Sequence, residues 1–233
     1  ECLHYVLHER AGSSSRIFPN SPYPWDCDAD GLRHDRKDAS GDGMKLNDFM
    51  EHGYSRAAEL KPPHVLGLRL YTTAAFRSLI NPLRDSGRTS AHPFPHTIHF
   101  INEAVRKLRA VDIKKGGAAE CKDLWRGLKD MERELDPEFM RNGGSENAPM
   151  STTTSLKVAV QYSASAAPTI MWLRTRSAME RGADLNYLSA FPAENEVLYP
   201  PLTYLRFVRE FDMPADENGQ LVTYKVIEVV PTI

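Results

Sequence analysis

Around Gly116-Gly117 the texture of the chain changes, and few folds are compatible with what stands on either side. Before it, Leu66, Leu70, Ala74 and Leu79, with Ala75 and Phe76 beside them, form an apolar stripe at helical spacing that ends at Asn81-Pro82, where proline is expected to stop a helix. A second helix is expected over about Thr97–Val111, with Phe100, Ile101, Ala104, Val105 and Leu108 on one side and Arg106, Lys107 and Arg109 on the other. After the glycines come short runs rich in β-branched and aromatic residues, which read as strands at 124–128, 150–154, 169–173, 196–208 and 221–230, with a short helix over 156–162. Strands gathered after helices, without regular alternation, indicate an α+β protein rather than a doubly wound sheet. The strand region has neither a Gly-x-Gly-x-x-Gly turn nor a Walker sequence, so a dinucleotide would have to be gripped in some other way.

With 233 residues, 41% hydrophobic and 26% charged, the chain can bury a sizeable core. Residues 1–60 are polar and proline-rich and read as a loop-rich segment with little core of its own. Residues 61–233 then form the main domain, divided into a helical lobe (61–116) and a β-rich core (117–233). A net charge of −2 and a pI near 6.5 give no general attraction for nucleic acid or anionic membranes. No apolar run approaches the roughly 20 residues of a membrane span, and nothing at the start reads as a signal peptide. Because the chain begins at Glu1 without Met, an excised domain or a processed chain is expected, and the compartment stays open.

Several polar clusters offer metal ligands only in part. Asp26, Asp28, Asp30 and Gly31 match the first half of a calcium-binding loop, but Lys37 stands where the closing glutamate belongs. Asp38, Ser40, Asp42 and Gly43 begin a second match that Phe49 ends in the same way. Turns in a solvated loop explain both. Cys2, His4 and His8 lack a partner pair at zinc spacing and are read as surface residues, and His92, His96 and His99 lack a cysteine or acidic partner and are read as structural. The 3 cysteines, Cys2, Cys27 and Cys121, allow one disulfide and imply no framework.

The candidate chemistry lies in Phe191–Leu205. Glu194 and Glu196, two apart at the mouth of a strand, should share one face, and such a pair costs energy unless a cation, a hydrogen bond or a proton stabilises it. With 31 acidic residues in the chain, a Glu-x-Glu alone carries little weight. It gains weight from Asp123-Leu-Trp-Arg-Gly-Leu-Lys129 and Ala148-Pro-Met-Ser-Thr-Thr-Thr-Ser-Leu156, which precede it in that order.

An aromatic-Arg-Gly step, a Ser-Thr-Thr strand and a Glu-x-Glu strand together resemble the Arg, Ser-Thr-Ser and Glu-x-Glu signature of the arginine-specific mono-ADP-ribosyltransferases. The resemblance runs from about Tyr71 to the C-terminus and is strongest from Leu124 onward. Tyr71-Thr-Thr and Ile80-Asn-Pro-Leu-Arg84 are similar to segments of that family's helical part. Trp125 stands where Tyr is frequent and Thr153 where a third Ser is frequent, and neither change removes a group the chemistry needs. The resemblance implies a split β-sandwich of two small sheets forming an NAD cleft, with an N-terminal helical lobe. It further implies NAD as substrate, no metal, and an acceptor protein with an exposed arginine.

Cleaving nicotinamide from NAD passes through an oxocarbenium-like ribose, which a carboxylate stabilises more in the transition state than in the ground state. By resemblance that carboxylate is Glu196. Glu194 would orient the acceptor guanidinium, Ser151 would fix the Glu196 rotamer, and Thr152 and Thr153 would support the strand and the cleft floor. Arg126 would meet the pyrophosphate, and Gly127 would let backbone approach the nicotinamide amide. Tyr162 and Phe191 suit stacking on a nicotinamide or adenine ring, but core packing is the preferred reading of both. An NAD glycohydrolase that uses water and a non-catalytic NAD-binding or interaction domain of the same fold are the alternatives. The intact Glu-x-Glu favours the transferase, because water needs no guanidinium clamp.

Overall fold

The computed structural model describes residues 2–8, 44–115, 121–129, 136–217 and 220–233. Both partial calcium loops fall mostly, and Cys27 wholly, outside them. The chain forms two compact units, one from residues 1–111 and 185–193 and the other from residues 112–184 and 194–233.

The first unit is helical: α1 (Cys2–His8), α2 (Leu46–Glu51), α3 (Gly53–Ala57), α4 (Pro62–Tyr71), α5 (Phe76–Arg84) and most of α6 (Pro95–Lys114). In α6 the buried side chains are Ile101, Ala104, Val105, Leu108 and Val111, a stripe at helical spacing. The single helix expected across residues 66–80 is two. Thr72 and Thr73 donate their hydroxyls to the carbonyls of Arg69 and Leu70, each at 2.8 Å, and close α4 there. Nor does Pro82 stop α5, which contains it. Proline removes one bond, to the carbonyl of Ser78 on the exposed side, while Leu79 and Ile80 still bury their side chains.

Where loops were expected before residue 60, the described residues include three short helices whose Tyr5, Val6 and Phe49 are fully buried. Their common partner is Arg69 of α4, only 1% exposed. It donates to the carbonyls of Val6 at 3.0 Å and Leu188 at 2.9 Å, and its guanidinium lies 3.8 Å from the centre of the Phe49 ring. The loop 185–193 is also held by Ser55 against the Tyr187 hydroxyl at 3.0 Å, and by the Ala190 N–H on the Thr72 hydroxyl at 3.0 Å.

The second unit carries the strands β1 (Lys122–Leu128), β2 (Gly144–Glu146), β3 (Met150–Thr153), β4 (Thr169–Thr175), β5 (Ala183–Asp184), β6 (Glu196–Tyr199), β7 (Thr203–Glu217) and β8 (Gln220–Thr232), with helices α7 (Pro137–Asn142) and α8 (Leu156–Ser163). They form one eight-stranded ladder, ordered β2-β7-β8-β4-β1-β3-β6-β5, antiparallel except where β4 meets β8. The α+β class is as expected. The two small sheets expected run together as one, joined where β1 meets β3 at the pair Trp125 and Thr153. The strand expected over 196–208 breaks at Pro200-Pro201, since proline cannot donate to a ladder, and Leu202 follows at φ 64°.

One sheet face buries Leu124, Met150, Leu173, Val197, Tyr199, Leu205, Ile227 and Val229; on the other, Leu156 and Val160 of α8 pack near Ile170, Tyr224 and Val226. Among the described residues no helix is long and apolar enough to cross a membrane.

Candidate active site

Strand alternation along β1 puts Leu124 and Arg126 on one face and Trp125 and Gly127 on the other. Trp125 stacks on Trp172 with ring centres 5.4 Å apart, on the side covered by α8. Gly127 meets α8 directly: a Cβ there would lie 2.2 Å from the carbonyl oxygen of Ala159 and 2.8 Å from the carbonyl carbon of Tyr162. Helix packing alone therefore demands glycine at this position, whatever a ligand requires.

Arg126 donates from Nη1 to the carbonyl of Ser151 at 2.9 Å, which ties β1 to β3 beyond their one paired position. The threonines of β3 and its exit then fix the acidic turn, one carbonyl each. Thr152 donates its hydroxyl to Val197 at 2.7 Å and Thr153 to Glu194 at 2.6 Å, while the N–H of Thr154 reaches Asn195 at 3.4 Å. Thr152 and Thr153 are buried, and their hydroxyls are spent on backbone. The Thr153 oxygen also accepts from the N–H of Ser155, the N-cap whose side chain starts α8.

The two glutamates do not alternate along one strand. Glu196 opens β6, opposite Thr153, whereas Glu194 ends the 3-10 turn Pro192–Glu194, and Asn195 between them is left-handed at φ 49°. Asparagine tolerates that region better than most residues, and the turn is what a strict strand reading of the motif missed. The carboxylates still sense each other. Burial pushes Glu196 up to about 7, with the charge of Glu194 adding to it; a Ser151 hydrogen bond and the charge of Arg126 oppose the rise, and Asp184 adds to it. Burial likewise lifts Glu194 to about 7, against a hydrogen bond from Tyr162. Groups that titrate near neutrality beside a cation are characteristic of functional sites.

Arg126, Ser151 and Glu194 thus each act on Glu196 directly, and Tyr162 of α8 joins them through its hydroxyl on Oε1 of Glu194. Phe191 instead packs with Tyr5 and Ala190 in the helical unit. Asp184 is the group that sequence reasoning missed: it sits in a two-residue strand beside β6, too short to leave a periodic signal. His92 is structural, its two ring nitrogens meeting the Leu79 carbonyl at 3.0 Å and the Phe94 N–H at 2.9 Å. Among the described residues no group of three histidine, cysteine or acidic side chains is placed to hold a metal ion.

The fold is shared with solved ADP-ribosyltransferases. HopU1 of Pseudomonas syringae pv. tomato DC3000 superposes with a TM-score of 0.55 at 21% identity, over 83% of this chain and 91% of that one. Plx2a, a toxin from Paenibacillus larvae, gives 0.53 at 15% identity over 79% and 94%. The Vis toxin of Vibrio splendidus gives 0.52 at 14% over 81% and 83%. At these identities the likeness is one of fold. A search among curated protein sequences gives no match. The family model described as ART, NAD:arginine ADP-ribosyltransferase, matches residues 39–222, and the chain belongs to that family. It is an NAD-dependent mono-ADP-ribosyltransferase, with NAD as its substrate.

Proposed function

We propose that the protein transfers ADP-ribose from NAD to an arginine side chain of an acceptor protein, with release of nicotinamide. The observation that carries this reading is the pair of a half-buried Glu194 and a buried Glu196, held in different local conformations beside Arg126 and Ser151. Glu196, fixed by a Ser151 hydrogen bond, serves the ribose as positive charge develops on it, the differential stabilisation that lowers a barrier. Glu194, at the end of a turn rather than within the ladder, receives the planar guanidinium and aims its nitrogen at the anomeric carbon. Arg126 is the fork-shaped cation for the pyrophosphate, and Gly127 and Tyr162 line the nicotinamide side. Thr152 and Thr153 hold the floor beneath them.

Two variants test the assignment. Glu196→Gln keeps the shape and removes the charge, so both released nicotinamide and labelled acceptor should fall by about 100-fold or more. Glu194→Gln should lose about 100-fold in arginine labelling, while nicotinamide release falls far less because water intercepts the cation. Equal losses of both activities in Glu194→Gln would mean that the carboxylates act as one unit. Undiminished activity in Glu196→Gln would remove the strand motif from the active site.

A further inference from the structure

An aromatic ring suffices to stack on a nicotinamide, yet at position 162 the chain carries a phenol, and its hydroxyl donates to Oε1 of Glu194. The surrounding structure sets this contact from both ends. On one side Gly127 admits the last turn of α8 so closely that a Cβ would stand 2.6 Å from the Ser163 nitrogen, which fixes the depth at which Tyr162 leaves the helix. On the other, the Thr153 hydroxyl pins the Glu194 carbonyl at 2.6 Å, so the turn cannot carry the carboxylate away. A carboxylate has about four lone-pair sites on two oxygens, and the phenol takes one.

We propose that Tyr162 is a positioning residue for acceptor recognition, its hydroxyl holding one oxygen of Glu194 and leaving the second to an incoming guanidinium. This deepens the reading of Glu194 given above and rests on it. The hydroxyl has a second effect. A donor to the ionised carboxylate favours that form, so it opposes the rise that burial imposes on Glu194. The groups that share this field are Tyr162 from α8, Glu196 from β6 and, around Glu196, Ser151 from β3, Arg126 from β1 and Asp184 from β5. Removing the phenolic oxygen raises the pH at which Glu194 becomes charged, and a neutral Glu194 attracts a guanidinium weakly.

The test is Tyr162→Phe in the full chain, with agmatine as the guanidinium acceptor and kcat/KM for transfer measured across neutral pH. The acid limb should move up by about one pH unit, and the KM for agmatine should rise several-fold at pH 7, with the difference shrinking at alkaline pH where Glu194 is ionised in either protein. The limb for nicotinamide release without acceptor, which reports Glu196, should move less. In the Glu194→Gln background Tyr162→Phe should change transfer by less than about 2-fold, since the phenol then has no carboxylate to act on. An unshifted transfer limb, or the same loss in both backgrounds, overturns the proposal. If Glu194→Gln itself leaves transfer intact, the assignment of Glu194 falls and Tyr162 with it; if Glu194→Gln loses transfer and the Tyr162→Phe limb stays put, only the role of Tyr162 falls.

Discussion

Burial of Glu196 at the head of β6 raises its carboxyl from an ordinary 4.5 to about 7, which sets the role proposed for it against the stability of the fold. The folded chain favours the neutral acid. The stability linked to this group is therefore present below pH 4.5 and lost as pH rises through 7, whereas the role proposed for Glu196 at the ribose needs the charged form that dominates above 7. Glu196→Gln should accordingly be more stable than the parent at pH 8, by about 3 kcal/mol on the linkage scale, with the gain fading as pH falls toward 4.5. Thermal melts of both proteins at pH 5 and pH 8 measure this; a gain that is equal at the two values, or absent at pH 8, removes the buried charge as its cause. Ser151 and Arg126 explain how the charged form is tolerated at all. Each offsets part of the burial cost, and neither removes it.

Between α8 and β1 the fold depends on a missing side chain. Gly127→Ala places a methyl against backbone atoms of Ala159, Tyr162 and Ser163, none of which can swing aside as a side chain would. Overpacking of this kind costs about 1–3 kcal/mol and should lower the urea midpoint, whereas Gly53→Ala, where a Cβ meets nothing within 4 Å, should leave it nearly unchanged. Equal midpoints for the two variants would refute the packing account. The Arg-Gly step was readable from order and residue type, but the helix behind it was not, because α8 reaches Gly127 from more than thirty residues along the chain. The same limit shaped the rest. Periodicity located α6, α8 and the cores of β1, β3, β4 and β8, each governed by its own stripe or alternation. It failed where side chains redirect backbone: the hydroxyls of Thr72 and Thr73 divide α4 from α5, and that of Thr153 holds Glu194 in a turn outside the strand. Residues 2–8 and 46–57 looked like loops because their helices are short and their apolar residues, Tyr5, Val6 and Phe49, find partners only in other segments.

At the scale of the molecule, the helical unit is closed by a buried cation. Arg69 satisfies itself on the carbonyls of Val6 and Leu188 and on the face of Phe49, gathering three distant segments. Arg69→Met keeps much of the length and removes the donors, leaving two carbonyls to find other partners, so a loss of about 2–4 kcal/mol is expected in urea melts. Amide exchange of residues 2–8 should accelerate with it; unchanged protection there would mean that α1 is held without Arg69. This unit is also discontinuous, since residues 185–193 belong with residues 1–111. A ribosome delivers the chain in one direction, so Leu188 reaches Arg69 only after the intervening strands β1 to β5 have been made. Until then the guanidinium lacks the Leu188 carbonyl, and the first half of the protein must wait, incompletely packed, for nine residues that arrive late in synthesis.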